Sequence, residues 1–121
     1  QTVKKFEDEI NDVTSPITSS INFIRDNIRE SINLKQLSGK ACMSTTSFYR
    51  SFKRELGMSP IEFILNEKIK HAKKLLSNPK INVAEVSYAT GFEDCNYFIR
   101  LFKKYEGVTP KQYQLMNFTS H

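Results

Sequence analysis

The sequence predicts an all-α fold of seven helices, in which two helix-turn-helix subdomains are joined by one long linker helix. Three observations carry that expectation. Apolar residues recur at three- and four-residue spacing, and no stretch alternates with the period of two that a half-buried strand requires. Ser, Asn or Pro stands at the start of most of these runs, and Gly follows several of them, which is the punctuation of helix caps. The second half of the chain also repeats the first at an offset of 49 to 50 residues.

Taken in order, Val3, Phe6, Ile10 and Val13 lie at helical spacing among charges, so residues 1–14 read as an amphipathic arm. The chain begins with Gln, and the arm is read as the remnant of a linker within a longer protein. Ser15 is placed as an N-cap with Pro16 at the first helical position, where no N–H is needed. Ile17, Ile21, Ile24 and Ile28 then mark one face to about Glu30. Asn33 caps a short helix carrying Leu34, Leu37 and Ala41. Ser44 caps a third helix, Thr45 to Leu56, which Gly57 stops. Pro60 opens the long fourth helix, with Ile61, Ile64, Leu65, Ile69, Ala72, Leu75 and Leu76 in period, ending near Ser77-Asn78-Pro79. Asn82 caps a fifth helix broken by Gly91, a sixth runs from about Cys95 to Tyr105, and Thr109-Pro110 opens a short seventh through Tyr113. The expected division is an arm at 1–14, a first helix-turn-helix at 15–59, a linker helix at 60–78, a second helix-turn-helix at 79–114, and a C-terminal tail at 115–121.

A chain of 121 residues with 39% apolar content suffices for one compact core. No run approaches the roughly 18 apolar residues of a bilayer crossing, and the start has no apolar signal region, so no membrane partner is expected and the compartment is read as cytoplasmic. Two Cys and two His, with Cys42 and Cys95 far apart, fit no zinc template and are read as reduced thiols at comparable turn-to-helix positions. No Ser/His/Asp set, apolar carboxylate pair or Gly-rich phosphate loop is present, so neither an enzyme nor a cofactor is expected. Residues 1–31 carry four basic and six acidic side chains, whereas residues 32–121 carry fourteen and seven, a net +7 that suits a polyanion.

The repeat is detailed. Ile32-Asn33-Leu34-Lys35-Gln36-Leu37-Ser38 returns as Ile81-Asn82-Val83-Ala84-Glu85-Val86-Ser87, and Phe48 through Pro60 returns as Phe98 through Pro110 with six of thirteen residues identical. The offset grows by one between these blocks, where each unit must turn between its two helices. At about 100° per residue, Phe48 and Phe52 define a buried seam and Arg50 points directly away from it; Arg100 stands likewise to Phe98 and Phe102. Short polar residues lie toward the N-terminus of each second helix and basic ones toward its C-terminus. That layout suits a recognition helix in a DNA major groove, where Arg pairs with guanine and Asn with adenine. Tyr49, about 60° from the seam, is open to either packing or base contact. Lys68, Lys70, Lys73 and Lys74 read as a solvated outer face of the linker helix.

These residues resemble the DNA-binding domain of the AraC/XylS family of bacterial transcription regulators. The matching stretches are Ser44, Phe48, Arg50, Phe52-Lys53 and Gly57-Met58-Ser59-Pro60, then Gly91-Phe92, Asn96-Tyr97-Phe98, Arg100, Phe102-Lys103-Lys104, Gly107-Val108-Thr109-Pro110 and Tyr113. Departures from the family pattern are Lys68 and Gln114, each where Arg is usual, Cys42 where Gly is frequent, and Glu106 where an apolar residue is usual. The resemblance implies base reading by Thr46, Tyr49, Arg50, Asn96, Tyr97 and Arg100. It implies phosphate contacts from Ser44, Lys53, Arg54, Lys103, Lys104 and Thr109. The implied partners are a double-stranded DNA operator, RNA polymerase, and an effector or dimerisation domain in the full-length protein. The alternative left open by the residues is a helical protein-interaction or anionic-surface adaptor without sequence-specific readout.

Overall fold

The computed structural model describes residues 15–119. The arm expected over residues 1–14 lies outside them, as do the last two residues of the expected tail. The described residues form seven α-helices and no strand: α1 Pro16–Asp26, α2 Leu34–Lys40, α3 Thr45–Leu56, α4 Pro60–Leu76, α5 Val83–Ala89, α6 Cys95–Glu106 and α7 Pro110–Thr119. They divide into two compact units. Among the described residues the first holds 15–27 and Ile32–Ile64; the second holds Ile28–Ser31 and 65–119. The division falls within α4.

Helix starts follow local side-chain chemistry. The Thr18 N–H donates to Ser15 Oγ at 3.2 Å, Gln36 N–H to Asn33 Oδ1 at 2.8 Å, and Ser47 N–H to Ser44 Oγ at 3.1 Å. Asn82 and Glu85 form a reciprocal capping box at 2.8 and 3.0 Å. Each such cap contributes about 1 kcal/mol.

In the first unit Ile17, Ile24, Leu37, Phe48, Phe52 and Ile64 are buried. The Phe48 and Phe52 rings lie 5.7 Å apart, and Phe63 meets Phe52 edge-on at 5.6 Å. Truncating either fully buried Phe to Ala would cost about 3–5 kcal/mol, a large part of a small domain's stability. Helix α1 stops at Asp26, short of the expected Glu30. Asn27 closes it with both its backbone N–H (3.0 Å) and its side-chain amide (2.9 Å) on the Phe23 carbonyl. Ile28, which extends the helical spacing, belongs instead to the Ile28–Ser31 segment of the second unit.

In the second unit Ile69, Ala72, Leu76, Val86, Phe92, Phe98, Leu101 and Phe102 form one cluster. Phe98 and Phe102 lie 5.9 Å apart and Tyr113 stands edge-on to Phe102 at 5.5 Å, the same three-ring arrangement as in the first unit. Helix α7 continues past Tyr113, its expected end, to Thr119, so residues 115–119 of the expected C-terminal tail are helical. Buried Gln114 donates through its amide to the carbonyls of Asn78 (3.0 Å) and Ile81 (2.8 Å).

Lys68 departs most from expectation. It is 5% exposed, and its ammonium donates to the carbonyls of Ile28 (2.6 Å), Glu30 (2.9 Å) and Thr90 (2.9 Å). Burial lowers its pKa and Glu30 opposes that shift. Of its neighbours on α4, Lys70 and Lys74 are exposed, while half-buried Lys73 pairs with Glu106 at 3.1 Å. The turns after α2 and α5 coincide in the repeat: Cys42 has φ +55° and Gly91 has φ +81°, each with its N–H on the third preceding carbonyl. Cys95, by contrast, is the first residue of α6, so the two cysteines do not occupy comparable positions.

A left-handed conformation is costly for a residue with a Cβ. Cys42→Gly is therefore expected to raise unfolding free energy by about 0.5–1 kcal/mol, after the entropy that Gly loses. A Cβ at Gly91 would lie 2.6 Å from both the Arg29 carbonyl oxygen and Lys68 Nζ. Gly91→Ala is thus expected to cost about 2 kcal/mol or more. Urea titration of both variants measures this contrast.

His71 presents a second case. Its Nε2 is buried without a hydrogen-bond partner. Burial lowers its pKa below 6.5, and the charges of Arg29, Lys74 and Lys68 push the same way. The folded chain therefore holds His71 neutral while the unfolded chain takes up a proton. Stability should fall as pH drops below 6.5. Thermal melts between pH 7 and pH 5 should show that decline attenuated in His71→Gln.

Candidate nucleic-acid interface

In the first unit the interface rests on α3. Ser44 caps its start, and Gly57, at φ +75°, ends it with its N–H on the Lys53 carbonyl at 2.8 Å. With Phe48 and Phe52 fully buried, Thr46, Tyr49, Arg50 and Lys53 are all exposed. Their spacing of three, four and seven residues makes them one stripe along the helix. Tyr49 is 38% exposed, with the Lys53 ammonium 6.0 Å from its ring centre. Arg54 lies beside the stripe and donates to Ser51 Oγ at 3.3 Å.

In the second unit α6 plays the same part. Asp94 caps it, accepting from the Asn96 N–H at 2.9 Å, and Gly107 at φ +82° ends it. Phe98, Leu101 and Phe102 face inward. Asn96, Tyr97, Arg100, Lys103 and Lys104 are exposed. Tyr97 is 41% exposed, and its ring leans toward Phe92 at 6.0 Å. Among the described residues no hydrogen bond or ion pair engages the guanidinium of Arg50 or Arg100.

All six expected base readers are therefore on the solvent side of α3 or α6. The two stripes are nonetheless not copies. Thr46 matches Asn96, Arg50 matches Arg100 and Lys53 matches Lys103, but Tyr49 falls opposite half-buried Ile99, and Tyr97 falls opposite Ser47. Each arginine thus has a tyrosine on the other flank from its counterpart.

Five of the six expected phosphate ligands are exposed; Thr109 is half-buried. Thr109 is engaged in a reciprocal cap, with its Oγ1 accepting from Gln112 N–H at 3.1 Å and its own N–H donating to Gln112 Oε1 at 2.9 Å. Ser59 and Glu62 make the matching box in the first unit at 3.2 Å in both directions. Lys111, outside the expected set, is exposed two residues beyond Thr109. Comparing the repeats at Pro60 and Pro110 could have found it, because Ile61 stands at its equivalent position. Among the described residues no group of three or more His, Cys, Asp or Glu is placed to hold a metal ion. No helix there is long and apolar enough to cross a membrane.

A helix-turn-helix domain family model matches residues 37–116. The chain is 33% identical over 92 residues to the HTH-type transcriptional regulator YdiP of Escherichia coli K12, covering 76% of this chain and 30% of that protein. It is 29% identical over 101 residues to the arabinose operon regulatory protein of Salmonella typhimurium, covering 83% of this chain and 36% of that protein. It therefore spans about a third of the length of these relatives. Among solved structures, the C-terminal domain of the response regulator yesN from Fusobacterium nucleatum is similar at TM-score 0.75 and 34% identity, over 78% of this chain and 93% of that one. The DNA-binding domain of AdpA, solved in complex with a target DNA, shares the fold at TM-score 0.85 and 21% identity, over 89% of this chain and 97% of that one.

Proposed function

The chain belongs to the AraC/XylS family of helix-turn-helix regulators, and we propose on that premise that it is a sequence-specific double-stranded DNA-binding domain of a bacterial transcription regulator. In this reading α3 and α6 enter two adjacent major-groove half-sites. Arg50 and Arg100 read base edges together with Thr46, Tyr49, Asn96 and Tyr97. Lys53, Arg54, Lys103 and Lys104, with Ser44 and Thr109, meet the backbone. The observation that carries it is the duplicated stripe: in both units an exposed Arg stands opposite a fully buried Phe pair, with polar residues before it and basic residues after it. A guanidinium so placed can pair bidentately with guanine O6 and N7.

The reading divides the chain into a first helix-turn-helix at 15–59, a linker helix at 60–78 and a second helix-turn-helix at 79–114. It extends to RNA polymerase as a partner at the promoter, to an effector or dimerisation domain in the full-length protein, and to the cytoplasm as its compartment. The extent of the relatives supports the further domain, since the chain covers 30% and 36% of two of them.

The test starts by selecting bound duplexes from a random library. Arg50→Ala and Arg100→Ala are each expected to weaken binding to the selected site by about 1–3 kcal/mol and to relax base preference in different half-sites. Equal loss on selected and random duplexes would remove the base-reading role. A shallow salt dependence would favour the adaptor reading, because phosphate neutralisation demands a steep one.

A further inference from the structure

The repeat pairs the two units position by position, and on the premise that the chain binds DNA the paired positions differ in how they would hold its backbone. Before its recognition helix the first unit has Met43-Ser44, whereas the second has Phe92-Glu93-Asp94. Glu93 is the residue that lengthens the second turn, and both it and Asp94 are exposed. After the recognition helix the difference runs the other way. Ile61-Glu62 follows Pro60, but Lys111-Gln112 follows Pro110, and all four side chains are exposed.

The hydrogen bonding sharpens the contrast. Glu62 folds back onto the Ser59 N–H, a bond that lowers its pKa and keeps it ionised. Gln112 makes the same bond to the Thr109 N–H without any charge. The acid at the end of α6, Glu106, is paired with Lys73 at 3.1 Å. Helix α6 is consequently polarised, with two carboxylates at its start and the exposed ammonium groups of Lys103, Lys104 and Lys111 at and beyond its end. Helix α3 has no such gradient, since its start is uncharged and Lys53 and Arg54 are offset by Glu55 and Glu62.

A recognition helix ordinarily places its N-terminal residues on base edges. Carboxylates there face the phosphates that border the groove, while each lysine that meets a phosphate releases counterions. We propose that the second unit grips the DNA backbone at the C-terminal end of α6 and the start of α7, with Lys111 as a backbone-contacting residue. Glu93 and Asp94 hold the start of α6 off the phosphates, and Arg100 carries more of the sequence reading of that unit than Asn96 does. In the first unit, whose recognition helix starts uncharged, Thr46 and Arg50 share that task.

The test uses the full chain with selected and random duplexes at several salt concentrations. Lys111→Gln is expected to weaken binding to both by about three- to tenfold and to flatten the slope of log K against log salt by about one, while Lys111→Arg keeps the slope. Asp94→Ser retains a capping hydroxyl of the kind Ser44 supplies and is expected to tighten both by about the same factor. Base preference in the second half-site should shift by less than about twofold in Asn96→Ala and relax by about tenfold or more in Arg100→Ala. An unchanged slope in Lys111→Gln, unchanged affinity in Asp94→Ser, or equal loss of preference in Asn96→Ala and Arg100→Ala each overturns the proposal. If binding to both duplexes shows only a shallow salt dependence, the DNA-binding reading falls and this proposal falls with it. If the salt dependence is steep and Lys111 and Asp94 have no effect, only this proposal falls.

Discussion

The burial of two phenylalanines one helical turn apart sets everything that the recognition helices present. Phe48 and Phe52 are fully buried in α3, as are Phe98 and Phe102 in α6. Rotating either helix far enough to move the outward stripe would bring a ring into water, at about 1.5–3 kcal/mol for each side chain. The rotation of each helix about its axis is therefore decided inside the protein, by aromatic packing, and the direction of Arg50 and Arg100 is its by-product. A third ring, Phe63 in one unit and Tyr113 in the other, stands edge-on to the second phenylalanine and holds it from the following helix.

The second unit adds a polar constraint of a different kind. Lys68 is a buried cation satisfied by three backbone carbonyls, an arrangement that works because its donors match the acceptors turned toward it. It also depends on what is missing nearby. Gly91 has no Cβ where one would press on both Nζ and the Arg29 carbonyl, so the lysine and the glycine are two parts of one device. The cationic neighbourhood reaches His71, whose proton affinity is depressed first by burial and then by these charges.

Local features of this fold were legible in the sequence because their causes are local. Ser15, Asn33, Ser44 and Asn82 act on residues three positions away, so a single chain segment announces each helix start. The stripe on each recognition helix was legible too, since helical geometry converts the phenylalanine spacing into a direction. The burial of Lys68 was legible in principle, since it stands four residues from Ile64 and Ala72 on the apolar face of α4, unlike Lys70, Lys73 and Lys74; its three carbonyl acceptors were not, because they lie 22 to 40 residues away. Ile28 misled for the same reason: its apolarity serves a unit other than the one its spacing suggested. The end of α7 was missed because residues after Tyr113 lack an apolar period, and Gln114 is held by carbonyls more than thirty positions back.

The displaced tyrosines have a consequence for how such a protein can change. Interior positions of the two halves still correspond ring for ring, while Tyr49 and Tyr97 flank their arginines on opposite sides. Two matching frames thus display different lettering. The exchanged positions are not equally detached from the interior: Ser47 and Tyr49 are exposed, whereas Ile99 packs against the core of its unit and Tyr97 leans on buried Phe92. The first half can therefore change the flank of its arginine at little risk to folding, while the second half must repack what lies beneath its own.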